Sequence, residues 1–280
     1  MTDALSPVLP LADGRGLPQV GLGVYKTTDA ESATAVDFAL RHGYRLIDTA
    51  SMYRNEKGVG DGVRRSGLPR DDVFVTTKVW FTENGYESTL RSFDESLERL
   101  GMEYVDLYLI HWPAPATDRY VDTWRALLRL EDEGRARSVG VANFHPKHVE
   151  RLVAETGRTP AVNQVELHPW LPQPELRAYD AAHGIVTQAW SPLARGHVFD
   201  TARGGEVLAA IGRKHGKSAA QVVLRWHVQL GIAVIPKSVT PARIRENIAL
   251  FDFELDADDL TAIAGLATGE RTGVDPDDRN

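Results

Sequence analysis

Cysteine is absent from this 280-residue chain, and with it go disulfide frameworks, thiolate nucleophiles and cysteine-ligated zinc or iron-sulfur sites. Long apolar runs are missing too: none approaches the roughly 18 residues that span a bilayer. The opening stretch, MTDALSPVLPLADGRG, has neither the basic nor the apolar region of an export signal. A soluble, cytoplasmic protein is the expectation. There is no excess of positive charge either. Lys and Arg number 32 against 39 Asp and Glu, a formal net charge of -7, which argues against a general binder of nucleic acid or anionic membrane and leaves only a local basic pocket open. Finally, the first apolar strand is not followed by the Gly-rich phosphate turn of a doubly wound dinucleotide-binding sheet. Gly58-Val-Gly60-Asp-Gly62 is the nearest approach, but position 63 is Val and no strand immediately precedes it. It reads as the loose start of a helix.

What is present is a strict alternation. Apolar runs of strand length occur at Val20 to Tyr25, Arg45 to Ala50, Val73 to Trp80, Val105 to Trp112, Ser138 to Phe144, Ala161 to Leu167, Ile185 to Trp190 and Ile232 to Ser238. Between them lie stretches of helical period at Asp29 to His42, Ser88 to Leu100, Val121 to Glu133, Pro146 to Thr156, Pro174 to His183, Ser218 to Gln229 and Pro241 to Leu250. Strands so continuous in Val, Ile and Leu require cover on both faces, hence helices outside a parallel sheet. About eight such units fit an α/β fold of the (β/α)8 TIM-barrel type as one domain over residues 1–280. A short N-terminal hairpin turning at Asp13-Gly14 within residues 1–18 precedes it, and a polar tail, residues 268–280, follows. Thr201 to His215 and Asp256 to Leu266 read as additional helices.

In such barrels chemistry collects at the C-terminal ends of the strands. Here the second strand ends at Asp48, the third at Lys78, the fourth at His111 and the fifth at Asn143; the sixth carries Gln164, the seventh ends in Trp190-Ser191 and the eighth in Lys237-Ser238. Tyr53 lies five residues beyond Asp48. An ordinary Tyr, with a pKa near ~10, exchanges protons poorly at neutral pH unless a cation stabilises its phenolate. Lys78 could be that cation, Asp48 the counter-charge that keeps it protonated, and His111 a neutral donor that orients a carbonyl oxygen. The competing reading is a barrel-top ion pair of Asp48 with Lys78 beside a tyrosine packed by its ring. After the eighth strand, Lys237, Ser238 and Arg243 at a helix N-terminus suit a phosphate monoester, or else form part of a solvated helix face with Arg245 and Glu246. Trp190 could stack a flat ring. His145 and His148 have a metal-like spacing without an apparent third ligand, and read as exposed helix residues; no metal is expected.

The motifs GYRLIDTASMYRNEKGVG, TTKVW, LYLIHWP, GVANF, NQVELHP and IPKSVTPARIRENI, spread from about Val20 to Leu255, resemble those of the aldo-keto reductases, most of all the bacterial 2,5-diketogluconate reductase-like members. The resemblance implies a (β/α)8 barrel that reduces aldehydes and ketones with NADPH, with Asp48, Tyr53, Lys78 and His111 as catalytic tetrad and Tyr53 as the general acid. It further implies that Lys237, Ser238 and Arg243 grip the 2'-phosphate of NADPH and that Glu246 and Asn247 touch the adenine. Trp190 would stack on the nicotinamide, Asn143 and Gln164 would bind its carboxamide, and the loop from Ser191 through Leu193 to Gly196 would follow the pyrophosphate. Ala142 departs from the family, which commonly has Ser there, so one carboxamide hydrogen bond is expected to be missing. Tyr25, Met52, Trp80, Trp112 and Phe81 are the expected pocket walls beside His111. Short loops and a short tail suggest a shallow site with a broad range of small carbonyl or keto-sugar substrates, in a monomer. Two other functions compete: a Schiff-base aldolase using Lys78, and a non-catalytic nicotinamide-binding subunit that senses redox state.

Overall fold

The computed structural model describes residues 6–279; residues 1–5 of the expected hairpin segment and residue 280 of the expected tail lie outside it. Val8–Pro10 (β1) and Gly16–Pro18 (β2) pair antiparallel around the Asp13-Gly14 turn. Parallel strands then alternate with helices: Leu22–Gly23 (β3), Asp29–Arg41 (α1), Leu46–Asp48 (β4), Glu56–Ser66 (α2), Phe74–Val79 (β5), Tyr86–Leu100 (α3), Val105–Ile110 (β6), Tyr120–Asp132 (α4), Ala136–Ala142 (β7), Pro146–Thr156 (α5), Val162–Glu166 (β8), Pro174–Ala182 (α6) and Val186–Trp190 (β9). Gly205–His215 (α7), Ala219–Gln229 (α8), Ala233–Val234 (β10), Pro241–Ile248 (α9) and Ala257–Ala264 (α10) complete the order. The helices start on local signals, such as the reciprocal Thr28/Glu31, Ser218/Gln221 and Asp256/Asp259 capping boxes. The added helices expected around Thr201 to His215 and Asp256 to Leu266 are α7 and α10.

β3 to β10 form an eight-stranded sheet in sequence order, and parallel bridges from Val20 to Val234 and Gly23 to Lys237 join its two edges into a barrel. The first and last barrel strands are shorter than their apolar runs, with two residues each in the ladder. Pro236 contributes to this, because it has no N–H to donate.

Strand alternation sorts the core into two parts. Ile47, Val75, Tyr108, Ile110, Val139, Val141 and Val165 pack outward against the helices. Leu46, Phe74, Leu107, Leu109 and Val162 form a separate inner cluster with Leu11 and Leu17 of the hairpin, which therefore caps the end of the barrel where the strands begin. Side chains two residues apart share a face, so Asp48, Lys78, His111 and Gln164 lie on the same inner side as Leu46, Phe74, Leu109 and Val162, one or two steps nearer the other end.

The Gly58 to Gly62 stretch is the body of α2, not its loose start. A Cβ on Gly58 would sit 2.1 Å from the carbonyl oxygen of Asp29, one on Gly60 1.9 Å from that of Leu100, and one on Gly62 2.7 Å from Val36 Cβ. The glycines, which cost about 1 kcal/mol each in helix propensity, let α2 approach both α1 and α3 closely. Gly60→Ala should lower stability by about 1–3 kcal/mol or more through overpacking, outweighing its gain in propensity. A melting temperature at or above the parent's would show that α2 and α3 separate at no cost.

Candidate active site

Two buried charges lie at the centre of the barrel mouth. Lys78 is 0% exposed, and its Nζ donates to Asp48 Oδ1 at 2.6 Å and to the Thr49 carbonyl at 2.8 Å. Burial pushes Asp48 up and Lys78 down, and their mutual contact opposes both shifts. The other oxygen of Asp48 accepts from Gln164 Nε2 at 2.8 Å, and the same amide donates to Gln188 Oε1 at 2.7 Å. Neighbouring strands β8 and β9 set those two glutamines directly opposite each other. One polar network thus ties β4, β5, β8 and β9.

Above it stand Tyr53 and His111. A short 3-10 turn, Ser51–Tyr53, follows β4 and turns the phenol back over the mouth, where Lys78 Nζ lies 5.2 Å from the ring centroid. His111 is 7% exposed, edge-on to Tyr53 at 5.7 Å and to Trp80 at 5.0 Å. Burial, then the charges of Lys78 and Arg279, hold its pKa well below the usual histidine value. The imidazole is neutral at physiological pH, as its expected role requires. Tyr53 differs from expectation: burial first, then Asp48, raises the phenol well above its usual range. Lys78 does not make it acidic, because Asp48 cancels the nearby positive charge. The phenol therefore keeps its proton through neutral pH.

Asp48, Tyr53 and His111 line a cavity of about 240 Å³ together with Tyr25, Met52, Trp80, Trp112, Asn143, Gln164 and Trp190. Phe81 does not line it; its ring packs on Trp80 at 4.6 Å. Asn143, with backbone φ 62°, donates to the His111 carbonyl at 2.9 Å and accepts from Trp190 Nε1 at 2.8 Å. That bond fixes the indole at the cavity wall. Each amide atom of Asn143 keeps one further hydrogen-bonding position.

A larger cavity of about 800 Å³ adjoins the first, sharing Tyr25, Ser191, Pro192, Arg195 and Lys237. Leu193, Gly196, Ser238, Arg243, Glu246 and Asn247, the remaining residues expected to meet a cofactor, all line it. Glu246 accepts from the Ser218 hydroxyl. Among the described residues, no carboxylate lies within ion-pair distance of Lys237, Arg243 or Arg195, although most other cations of the chain are paired. Unpaired cations and a buried serine beside the α9 N-terminus form a donor set suited to phosphate oxygens. The residues present thus fit a dinucleotide carrying several phosphates.

The tail crosses this mouth. Glu166 at the end of β8 accepts from Thr272 N at 2.6 Å, Thr272 Oγ1 at 2.6 Å and Gly273 N at 3.0 Å. Burial would raise its pKa, but the donors from His168 and Thr272 outweigh burial and hold it low. A Cβ on Gly273 would fall 2.6 Å from the Trp190 ring and 2.9 Å from Glu166, so only glycine passes there. Further along, Asp275 pairs with His145 at 3.2 Å, and Asp277 with Lys147 at 2.6 Å and His148 at 3.1 Å. His148 is buried and His145 half-buried, so neither is the exposed residue expected. The rings of Tyr120 and Phe144 and the returning tail cover His148, and burial pushes its pKa down to about 4. The short tail therefore walls the site, with Gly273, Val274 and Arg279 lining the smaller cavity.

The sequence profile of the aldo/keto reductase family matches residues 14–268. The chain belongs to this family. An aldo-keto reductase of Mycolicibacterium smegmatis is 53% identical over 272 residues, 97% of this chain and 98% of the relative. The methylglyoxal reductase DkgA of Yersinia pestis is 48% identical over 275 residues, 98% of this chain and 97% of the relative. Among solved structures, a variant of Gox0644 in complex with NADPH superposes with a TM-score of 0.93 at 45% identity, covering 99% of this chain and 100% of that one. This aldo-keto reductase is accordingly an oxidoreductase on an eight-stranded parallel barrel with an N-terminal hairpin.

In the reductase, sequence reasoning overlooked several mouth residues. Gln188 carried a signal: it sits two positions before Trp190 on the same strand face. Glu166 stands likewise two after Gln164. Val274 and Arg279 carried none, since nothing local marks a polar tail as returning to the barrel. The carboxylate clasp makes a direct prediction. Glu166→Gln replaces hydrogen bonds to a charge, worth about 1.5–3 kcal/mol each, with weaker neutral ones. Trypsin should then cleave after Arg271 at least about ten-fold faster; an unchanged rate would mean that Glu166 does not hold the tail.

Proposed function

We propose that the chain reduces small aldehydes and ketones to alcohols using NADPH, with Tyr53 as general acid. The observation that carries this is the gathering of Asp48, Tyr53 and His111 at one small cavity, with Lys78 buried against Asp48 behind it, that adjoins the larger, cation-lined one. When bound, the reduced nicotinamide supplies a hydride. The chain's own residues do the rest. His111, neutral, donates a hydrogen bond to the carbonyl oxygen and fixes its direction. Tyr53 keeps its proton until negative charge develops on that oxygen, then transfers it. Asp48 and Lys78 hold the phenol's surroundings fixed. Lys237, Ser238 and Arg243 would grip a 2'-phosphate, which favours NADPH over NADH, and Trp190, pinned by Asn143, would stack on the nicotinamide. Asn143 and Gln164 would bind its carboxamide, while Ser191, Leu193 and Gly196 would run along the pyrophosphate and Glu246 and Asn247 reach the adenine. The substrate would meet Tyr25, Met52, Trp80 and Trp112. Small dicarbonyls and keto sugars suit a cavity of about 240 Å³.

The aldolase reading needs an unprotonated, accessible amine. Lys78 is 0% exposed and engaged by Asp48 and Thr49, which counts against it. Oxidation of NADPH and NADH should be followed with methylglyoxal, other aldehydes and keto sugars. Turnover is expected with NADPH in preference to NADH, and Tyr53→Phe should reduce kcat by about 10²-fold or more while NADPH still binds. Turnover surviving in that variant would sink the assignment of the acid; tight NADPH binding with no turnover on any carbonyl would favour a redox-sensing role.

Ala142 is buried at the end of β7, beside Asn143. On this reading Ala142→Ser restores one hydrogen bond to the carboxamide and tightens NADPH binding by about 0.5–1.5 kcal/mol. Equal dissociation constants for parent and variant would remove Ala142 from the account.

A further inference from the structure

We propose that Asn55 is the positioning residue of Tyr53, bracing the phenol against the loop that carries Tyr25. The inference rests on the carbonyl reduction proposed above, in which Tyr53 is the acid. Asn55 follows Tyr53 by two residues, is 0% exposed and lines neither of the two cavities, so it acts on the chemistry only through other groups. It stands at the N-cap of α2, where an asparagine ordinarily accepts a hydrogen bond from the first turn of its own helix. Here its side chain does not. The N–H of Gly58, in that first turn, donates instead to Asp29 Oδ1 of α1 at 2.8 Å, which leaves the Asn55 amide to turn the other way. Its Oδ1 accepts from the Thr49 hydroxyl at 2.7 Å. Its Nδ2 donates to the Val24 carbonyl at 2.8 Å, to Thr27 Oγ1 at 3.0 Å and to the Thr27 carbonyl at 3.3 Å. Carbonyl oxygens on the nitrogen side fix which way round the amide lies.

Three segments of the mouth meet at this one amide. The first is the exit of β4, where the Thr49 carbonyl holds Lys78. The second is the loop after β3, which carries Tyr25 and is closed on itself by the Thr27 hydroxyl donating to the Val24 carbonyl at 2.7 Å. The third is the turn that ends in Tyr53. Both tyrosines need such a brace. Each is followed directly by a non-glycine residue in the left-handed region, Lys26 at φ 57° and Arg54 at φ 56°, a conformation that persists only where the surroundings impose it. The two rings lie 5.0 Å apart on the wall of the smaller cavity. At its start the turn is tied down by the Ser51 hydroxyl, which donates to the Lys78 carbonyl at 3.0 Å; at its end Asn55 is the tie. With the amide removed, the segment from Tyr53 to Asn55 is free to relax, and the phenol moves relative to His111 and Lys78. A displacement of about 1 Å at a reacting group costs up to about 10²-fold in rate.

Asn55→Ala and Asp29→Ala separate placement from stability, because both loosen the start of α2 and only the first releases the tyrosines. Single-turnover reduction of methylglyoxal by bound NADPH should slow by about ten-fold or more in Asn55→Ala, with the NADPH dissociation constant within about two-fold of the parent's. Asp29→Ala should lower the melting temperature without that loss of rate. In a Tyr53→Phe background, Asn55→Ala should slow the residual reaction by no more than about two-fold, since residues that act through one group are not additive. A parent-like rate in Asn55→Ala would overturn the proposal, as would an effect that multiplies in full with Tyr53→Phe. Should Asn55→Ala not fold, Thr49→Val, which removes one hydroxyl from the brace and keeps its volume, carries the same comparisons. 3-Fluorotyrosine at position 53 reads the placement without turnover: its fluorine resonance should shift or broaden in Asn55→Ala and stay in place in Asp29→Ala. No change in either variant, or the same change in both, would overturn the assignment. If the parent reduces no carbonyl, the carbonyl-reduction reading fails, and the fluorine resonance alone decides whether Asn55 holds Tyr53.

Discussion

Everything at the barrel mouth depends on one contact, the 2.6 Å pairing of Lys78 with Asp48. Neither charge is tolerable alone at that depth, since burying an unpaired ion costs several kcal/mol. Once paired, each has hydrogen-bonding capacity to spare. Lys78 uses it on Thr49, and Asp48 uses it on Gln164, which passes the constraint to Gln188. Four strands are thereby held in register at the level where the substrate would sit. The pair acts as the floor on which the reactive groups stand.

The same contact changes the meaning of the phenol above it. An isolated lysine 5.2 Å from a tyrosine ring would draw the phenol towards ionisation. With its own carboxylate at hand it does not, and burial then dominates. Tyr53 is suited to delivering a proton at neutral pH and less suited to accepting one. The protonated state of the phenol in the apo site is thus set by its own burial and then by Asp48.

Much of this was legible in the sequence because it follows from local pattern. Continuous apolar strands alternating with helical periods require a parallel sheet covered on both sides, and a polar residue at the exit of each run marks the mouth. Asp48, Lys78, His111 and Gln164 were found in this way, and the period of two explains why they share the inner face with Leu46, Phe74, Leu109 and Val162. What was not legible depends on distant partners. Gly58, Gly60 and Gly62 look like the loose start of a helix until Asp29, Val36 and Leu100 are brought against them. His148 looks exposed until the tail covers it, and the tail looks like solvated chain until Glu166 accepts its backbone amides. The mouth's inner lining belongs to strand pattern; its outer lining belongs to tertiary contacts that no window of sequence contains.

The hairpin at the other end has a further consequence. Leu11 and Leu17 join the inner apolar cluster and stopper the barrel where its strands begin, so that among the described residues the polar interior faces the opposite end. Tyr53 lies at that opposite end, on the wall of the smaller cavity. On the proposed function, the proton that restores the phenol would have to enter by the passage through which the alcohol departs, between the tail and the aromatic rim.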